Sequence, residues 1–184
     1  MEHQGTKPLQ TERLLLRRFT PADADAMYNN WAKEEQVARY LTWLPHRSVE
    51  VTKTLLKDWC SFYSQPNYYN WVMEYKGIPI GNVSAVHVNE RSHWVELGYC
   101  MGPTYWNRGL MTEAVRAVID FFFQEVKIHR VCISHATPNA ASGRVAQKCG
   151  LSYEGTQREA FRSLNGEYWD IANYAILRSQ WETH

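Results

Sequence analysis

Residues 98–114 read Gly-Tyr-Cys-Met-Gly-Pro-Thr-Tyr-Trp-Asn-Arg-Gly-Leu-Met-Thr-Glu-Ala. The apolar and aromatic residues before Gly102 and Pro103 predict a β-strand, and those after the turn follow the spacing of a helix with one buried face. This apolar face comprises Val115, Val118, Ile119, Phe122, Phe123 and Val126. The sequence therefore predicts a strand that turns directly into an amphipathic helix.

The turn between this strand and this helix has the features of an anion-binding site. The first amide groups of a helix lack intrahelical partners and lie at the positive end of its dipole. Arg108 adds a mobile positive charge beside them. Neither a Gly-Lys-Ser/Thr triphosphate loop nor a Gly-x-Gly-x-x-Gly dinucleotide motif is present. We therefore expect a phosphate or pyrophosphate of another ligand; the alternative is an ordinary strand-to-helix turn.

A second strand–helix unit follows about thirty residues downstream. Residues 129–136 alternate as a strand, and Asn139 then opens a helix that ends near Lys148 and Gly150. Two such units in succession predict neighbouring parallel strands with a splayed gap, in which an extended ligand can lie.

Five segments of the sequence carry a resemblance to a known family: residues 103–114, 139–142, 148–155, 11–17 and 165–170. Through these segments the chain resembles the GNAT superfamily of acyl-CoA-dependent N-acetyltransferases, and more closely its RimJ/RimL-like branch. The segments occur in the order found in the family, and the likeness extends over nearly the whole chain.

The resemblance implies an α/β (α+β) fold with a mixed, mostly antiparallel sheet of about seven strands. Helices flank this sheet, which is splayed between its two central parallel strands. The element order read from the sequence, β-α-α-α-β-β-β-α-β-α-β-β, agrees with it. We expect residues 1–10 to form a flexible tail and residues 11–184 a single domain.

Composition limits the function classes. The net charge of +1 argues against sequence-independent binding of nucleic acid. The apolar runs are too short to cross a membrane, and the polar N-terminus lacks a signal-peptide core. Four cysteines without metal-ligand spacing indicate reduced thiols, so we expect a cytoplasmic protein without a bound metal.

The resemblance also implies the activity: transfer of an acetyl group from acetyl-CoA to a primary amine by direct attack. The turn would bind the pyrophosphate, and the strand edge before it would pair with the pantetheine arm. The expected cofactor-binding residues are Tyr99, Cys100, Met101, Asn107, Arg108, Gly109, Leu110, Met111, Thr112, Asn139 and Ser142.

Two residues are candidates for catalysis. Many superfamily members carry a tyrosine where this chain has Ala146, whereas RimL-like enzymes have a serine at the position of Ser142. Ser142 is therefore the candidate donor of a proton to the thiolate, unless it only supports the helix start. Glu96 is the candidate general base, with a solvated or paired strand residue as the alternative. Other candidates for the base are Glu159, His87, His93 and His135; an unassisted α-amine is a further option.

The acceptor is the least determined part of the reaction. The resemblance suggests the N-terminal amine of a protein or peptide, with ribosomal proteins as the known targets of the branch. The alternatives are a small-molecule amine and a noncatalytic acyl-CoA sensor. Trp43, Tyr69 and Trp71 are candidates for the acceptor wall, together with Leu44 and His46. The family and the many aromatic residues also suggest a homodimer.

Overall fold

The computed structural model describes residues 1–183. The strands are β1 Leu9–Gln10, β2 Leu14–Arg17, β3 Asn70–Tyr75, β4 Ile78–Asn89, β5 Trp94–Met101, β6 Arg130–Ala136, β7 Ser152–Arg162 and β8 Tyr168–Leu177. The helices are α1 Ala24–Met27, α2 Glu35–Ala38, α3 Val49–Phe62, α4 Leu110–Phe121, α5 Ala140–Lys148 and α6 Arg178–Trp181. Short 3₁₀ turns cover Pro21–Asp23 and Pro103–Tyr105, and π-helical turns cover Tyr28–Ala32 and Phe122–Val126. Within residues 1–183, no helix is both long enough and apolar enough to cross a membrane.

The strands form one mixed sheet in the order β1-β2-β3-β4-β5-β6-β8-β7. Neighbouring strands are antiparallel, except that β5 and β6 are parallel. The predicted fold class is confirmed. The sheet has eight strands rather than about seven, because Leu9–Gln10 pairs with β2 as a short edge strand.

The two parallel strands part soon after they meet. β5 and β6 are paired at Trp94, Val95 and Glu96, and the pairing ends at the contact between Glu96 and Cys132. The rest of β5, from Leu97 to Met101, stays paired with β4 on its other side. The predicted gap between the central parallel strands is therefore confirmed.

The helix after the turn buries the face that the sequence predicts. Val115 and Val118 of α4 have no exposed surface, and the π-helical turn continues the same face with Phe122 and Phe123. The helix packs on one face of the sheet, and the π-helical turn that continues it ends before Lys127, which adopts a left-handed φ of 59°. A second cluster joins α1, α3 and the first π-helical turn to β3 and includes Phe19, Met27, Trp31, Leu56 and Val72.

Residues 1–10 do not form the loose tail that the sequence suggested. Thr6 is 1% exposed, and its hydroxyl donates a hydrogen bond to the Tyr68 carbonyl. The indole nitrogen of Trp71 donates to the Lys7 carbonyl at 2.6 Å. These contacts contradict the expectation of a loose tail, since the segment covers the start of β3 with paired backbone groups.

A half-buried charge network joins the edge of the sheet to the first helical turn. Arg17 donates two hydrogen bonds to the Asp23 carboxylate, at 2.8 and 2.9 Å, and a third to Glu74 at 2.7 Å. The backbone amide of Thr20 also donates to Asp23. Burial opposes ionisation of Asp23, but the hydrogen bonds from Arg17 and Thr20 outweigh it and lower the pKa of this carboxyl below 3.8. The ion pair of Arg17 with Asp23 therefore fixes this helical turn to β2.

We predict that Asp23→Ala lowers the free energy of unfolding by about 3 kcal/mol at neutral pH, since it leaves the Arg17 charge without its main partner. Because the folded pKa is depressed, this contribution is complete above the unfolded pKa of about 4 and is lost as the pH falls through the folded pKa. Urea unfolding should therefore show the difference from wild type shrinking in acid. Asp25→Ala, an exposed acid on α1, is the matched control. Equal stability of wild type and Asp23→Ala at neutral pH would contradict the prediction.

Candidate active site

The turn between β5 and α4 follows a path that restricts its residues. Asn107 and Gly109 adopt left-handed φ values of 60° and 76°. Gly102 is buried, and a Cβ atom there would lie 2.4 Å from the carbonyl oxygen of Asn30. Only glycine allows this approach, so the end of β5 is fixed against the π-helical turn that contains Asn30.

The start of α4 presents free amide groups, as the sequence predicts. Gly109 occupies the N-cap position and provides no side-chain cap. The first intrahelical hydrogen bond runs from the Glu113 amide to the Gly109 carbonyl, at 3.0 Å. The amides of Leu110, Met111 and Thr112 precede that bond and therefore lack intrahelical partners. This arrangement can bind a phosphate group.

Arg13 and Glu113 hold this turn in place, although the sequence did not identify them as site residues. The Glu113 carboxylate accepts hydrogen bonds from the Thr11 hydroxyl and from the amide and Nε of Arg13. The Arg13 guanidinium also donates to the Arg108 carbonyl at 2.9 Å. Burial opposes ionisation of Glu113, but these bonds outweigh it and lower the pKa of the carboxyl. The partners are 100 positions apart, so no local sequence pattern could have paired them.

The edge of β5 that faces the gap offers unpaired backbone groups. Gly102 donates to the Ile80 carbonyl of β4, and backbone direction alternates along an antiparallel strand. The amide and carbonyl groups of Tyr99 and Met101 therefore point away from β4, into the gap. An extended chain that contains amide groups could pair with this edge as another strand would.

Two of the predicted strand contacts need correction. By the same alternation, the backbone groups of Cys100 point to Asn82 of β4, so Cys100 offers no hydrogen bond to a ligand in the gap. Its thiol instead donates to the Asn82 side chain at 3.0 Å. The Met101 carbonyl already accepts a hydrogen bond from the Trp106 indole at 2.7 Å, which leaves only the Met101 amide free at that residue.

Ser142 lies in the first turn of α5, on the opposite side of the gap from β5. Its hydroxyl is 3.0 Å from the phenolic oxygen of Tyr99, which also donates to the Ser142 carbonyl at 3.0 Å. Burial raises the pKa of Tyr99 well above its usual value, so the phenol stays protonated. The structure thus brings together two predicted site residues from the two strand–helix units.

The remaining polar residues of the predicted site lie at the two helix starts. Asn139 is the N-cap residue of α5, as predicted, but its side chain makes no capping hydrogen bond. Its carbonyl accepts the Ser142 amide at 3.1 Å. Arg108 is exposed, and its guanidinium lies 5.8 Å from the centre of the Tyr105 ring. Its positive charge therefore stays beside the start of α4.

Glu96, the predicted general base, is half-buried at the last β5–β6 pair. Side chains alternate along a strand, so Glu96 lies on the face of β5 opposite to Tyr99. The structure therefore places Glu96 and Ser142 on different faces of the sheet. The nearby Cys132 thiol has a pKa raised to about 11, first by burial and then by the charge of Glu96.

Tyr69 and Trp71 do not line an open site. They are 1% and 0% exposed, and both pack edge-on against Phe122. The prediction that these two residues form the acceptor wall is therefore corrected: they belong to the core. Trp43 is half-buried, packs beside the second core cluster and contacts the ring of His46.

The other titratable candidates lie in different surroundings. His87 and His93 are exposed, whereas the ring of His135 stacks on Tyr174. The Nε2 atom of His135 is buried without a hydrogen-bond partner in the described chain, and a Cβ on Gly143 would lie 2.6 Å from it. The absence of a side chain at Gly143 thus allows α5 to approach His135 of β6 closely. Across residues 1–183, no group of three or more His, Cys, Asp or Glu is arranged to hold a metal ion.

An aromatic contact missed by the sequence analysis joins the two halves of the molecule. Tyr40, just after α2, lies 5.1 Å from Trp169 at the start of β8, measured between ring centres. Trp169 also stacks on Phe161 of β7. The neighbouring Asp170 carbonyl accepts the Thr137 amide from the loop that leads into α5. The contact therefore lies beside the start of α5, but only the tertiary fold brings these residues together.

Comparison with known proteins gives consistent matches. At 27% identity over 176 residues, the chain is similar to the putative ribosomal N-acetyltransferase YdaF of Bacillus subtilis, covering 93% of this chain and 94% of that one. A solved GNAT-family acetyltransferase from Bacillus anthracis has 27% identity and a TM-score of 0.82, covering 94% of this chain and 99% of that one. RimL, described as a ribosomal L7/L12 alpha-N-protein acetyltransferase in complex with coenzyme A, shares the fold with 20% identity. Its TM-score is 0.84, over 93% of this chain and 98% of that one.

A family model agrees with the fold and with the features of the turn. The model for the acetyltransferase (GNAT) domain matches residues 13–152, which include Arg13, the gap-facing edge of β5, the turn, and α4 and α5. Both strand–helix units of the predicted site therefore lie within the matched region, and the chain belongs to the GNAT acetyltransferase family.

Proposed function

We propose that this protein is an enzyme that transfers an acetyl group from acetyl-CoA to a primary amine while both substrates are bound. We further propose that the acceptor is the N-terminal α-amine of a protein or peptide. The observation that carries this proposal is the gap beyond Glu96, where the free edge of β5 leads to the free amides of α4. An extended arm that ends in a pyrophosphate matches both parts of that path.

The residues present fit coenzyme A. The amides of Leu110, Met111 and Thr112 would hold the pyrophosphate, with the positive charges of Arg13 and Arg108 nearby. The free edge of β5 would pair with the pantetheine arm. The description of the RimL neighbour as a complex with coenzyme A supports this assignment.

Acetyl-CoA supplies a thioester, which is an activated acetyl group. The Tyr99 amide points into the gap, where it can donate a hydrogen bond to a carbonyl oxygen that gains negative charge. The Ser142 hydroxyl can hold a proton for the departing sulfur at the start of α5. The Tyr99 amide and the Ser142 hydroxyl both lie at the gap, so they can act on the same reacting centre.

Removal of the proton from the amine needs little assistance if the acceptor is an α-amine. Its reference pKa near 8 leaves roughly a tenth of the molecules neutral at pH 7, whereas a lysine side chain near 10.4 needs far more help. Glu96 is the acidic residue of β5 that borders the gap, from the face opposite to Ser142. We assign it the role of accepting this proton, through water.

The descriptions of similar proteins support a protein or peptide acceptor. The relative YdaF is described as a putative ribosomal N-acetyltransferase, and the structural neighbour RimL as a ribosomal L7/L12 alpha-N-protein acetyltransferase. The Tyr40–Trp169 contact takes the place of the buried Tyr69 and Trp71 as the candidate aromatic wall beside α5.

The first test is a product assay with acetyl-CoA and two acceptor pools. One pool contains short peptides with varied N-termini, and the other contains polyamines, amino acids and aminoglycosides. We expect a mass gain of one acetyl group in the peptide pool, with heat-inactivated protein as the control. A gain in the small-amine pool alone would reassign the acceptor class. No gain in either pool, with acetyl-CoA still bound, would contradict the enzyme and favour an acyl-CoA sensor.

A second prediction concerns Arg13. Arg13→Ala removes both the hydrogen bond to the Arg108 carbonyl and a positive charge beside the turn, and both losses weaken anion binding. We expect the Kd for coenzyme A to rise about tenfold, which corresponds to about 1.4 kcal/mol. Isothermal titration calorimetry measures this directly. Arg91→Ala removes the same charge at the exposed turn before β5, far along the strand from the site, and should leave the Kd unchanged. Equal Kd values for Arg13→Ala and Arg91→Ala would contradict the prediction.

A further inference from the structure

The Tyr99 hydroxyl bridges the gap between β5 and α5. Tyr99 lies three residues beyond Glu96, where the pairing of β5 with β6 has ended. Its side chain crosses to the first turn of α5 and reaches both the carbonyl oxygen and the hydroxyl of Ser142, each at 3.0 Å. One phenol therefore contacts both the backbone carbonyl and the hydroxyl of the residue that we assign as the proton donor.

The hydrogen atoms in this contact can be arranged in two ways. The Ser142 carbonyl can only accept, whereas either hydroxyl can donate to the other. If the phenol donates to the carbonyl, the serine proton points at the phenolic oxygen. If the phenol donates to the serine hydroxyl, the serine proton is directed to a third acceptor. Only the second arrangement leaves the Ser142 proton free for another acceptor, so the phenol donates to the serine hydroxyl when Ser142 protonates the sulfur.

Without this partner, the Ser142 hydroxyl would have other choices. A serine in the first turn of a helix can rotate towards neighbouring backbone groups or towards solvent. The Ser142 amide is already bonded to the Asn139 carbonyl, so the backbone is fixed while the hydroxyl can still turn. The phenol removes that freedom, because it is itself held between the sheet and α5.

Tyr99 does not act as the source of the proton. Burial raises the pKa of the phenol, and this effect outweighs the opposing hydrogen bond with Ser142. Loss of its proton would leave a buried phenolate without a positive partner in its hydrogen-bonded contacts. The phenol therefore remains a neutral hydrogen-bonding group during the reaction.

We propose that the Tyr99 hydroxyl is a positioning residue for acetyl transfer: it fixes α5 against β5 and aims the Ser142 proton at the departing sulfur. This inference rests on the proposed function. In the step concerned, the bond from nitrogen to the acetyl carbon forms and the carbon–sulfur bond breaks. The amine proton leaves through Glu96 or water, the Ser142 proton moves to the sulfur, and the serine regains a proton from solvent.

A double-mutant cycle tests this role. Tyr99→Phe keeps the ring and removes only the hydroxyl, and Ser142→Ala removes the group on which the phenol acts. We expect Tyr99→Phe to lower kcat about tenfold, with the KM for acetyl-CoA and the calorimetric Kd for coenzyme A changed less than about twofold. In the Ser142→Ala background, Tyr99→Phe should have no further effect on kcat, because the two residues act as one unit.

A second readout does not depend on activity. If the phenol fixes the start of α5, amide hydrogen exchange at residues 140–143 should be faster in Tyr99→Phe than in wild type, without any ligand. Tyr174→Phe is the matched control, since Tyr174 stacks on His135 beside α5 and its hydroxyl has no partner within residues 1–183. That control should match wild type in kcat and in exchange.

The outcomes separate this inference from the proposed function. If wild-type protein forms no acetylated product, the proposed function fails and this inference fails with it. If wild type is active and Tyr99→Phe has an unchanged kcat, only the inference fails. Additive losses in the double mutant, a kcat unaffected by Ser142→Ala, or a loss seen mainly in KM and Kd would also overturn it, because each shows that Tyr99 does not act through Ser142.

Discussion

The structure depends on the point at which β5 and β6 stop pairing. Up to the contact of Glu96 with Cys132 the two strands complete a continuous sheet, and beyond it each keeps a partner on one side only. Unpaired backbone groups are costly where water is excluded, so such a gap persists only if another group can use them. The gap is therefore the feature on which the proposed binding site depends.

Because no ladder of backbone hydrogen bonds crosses the gap, other contacts must set the distance between β5 and the elements on its far side. Tyr99 and Ser142 provide one such contact, from the strand to the helix beyond the gap. At the other end, Arg13 and Glu113 tie the turn before α4 to the β1–β2 edge of the sheet. Both contacts use side-chain hydrogen bonds, which hold a geometry better than apolar packing alone does.

The sequence predicts what depends on local pattern. The buried face of α4, the turn with its free amides and the start of α5 at Asn139 all follow from spacing and helix-end chemistry. Prediction from the sequence fails where the environment of a residue depends on neighbours that are distant in sequence. Tyr69 and Trp71 were candidates for a wall because aromatic residues suit both cores and pockets, and only the packing of α4 against them shows that they are core.

The same limit explains why the chemistry is harder to predict than the cofactor site. Binding of an extended, charged ligand uses backbone groups, and their positions follow from the order of strand, turn and helix. Proton transfer uses side chains whose roles depend on neighbours remote in sequence. The family resemblance alone made Ser142 a candidate proton donor, but only the fold shows that the Tyr99 hydroxyl, 43 residues earlier in the chain, meets it across the gap.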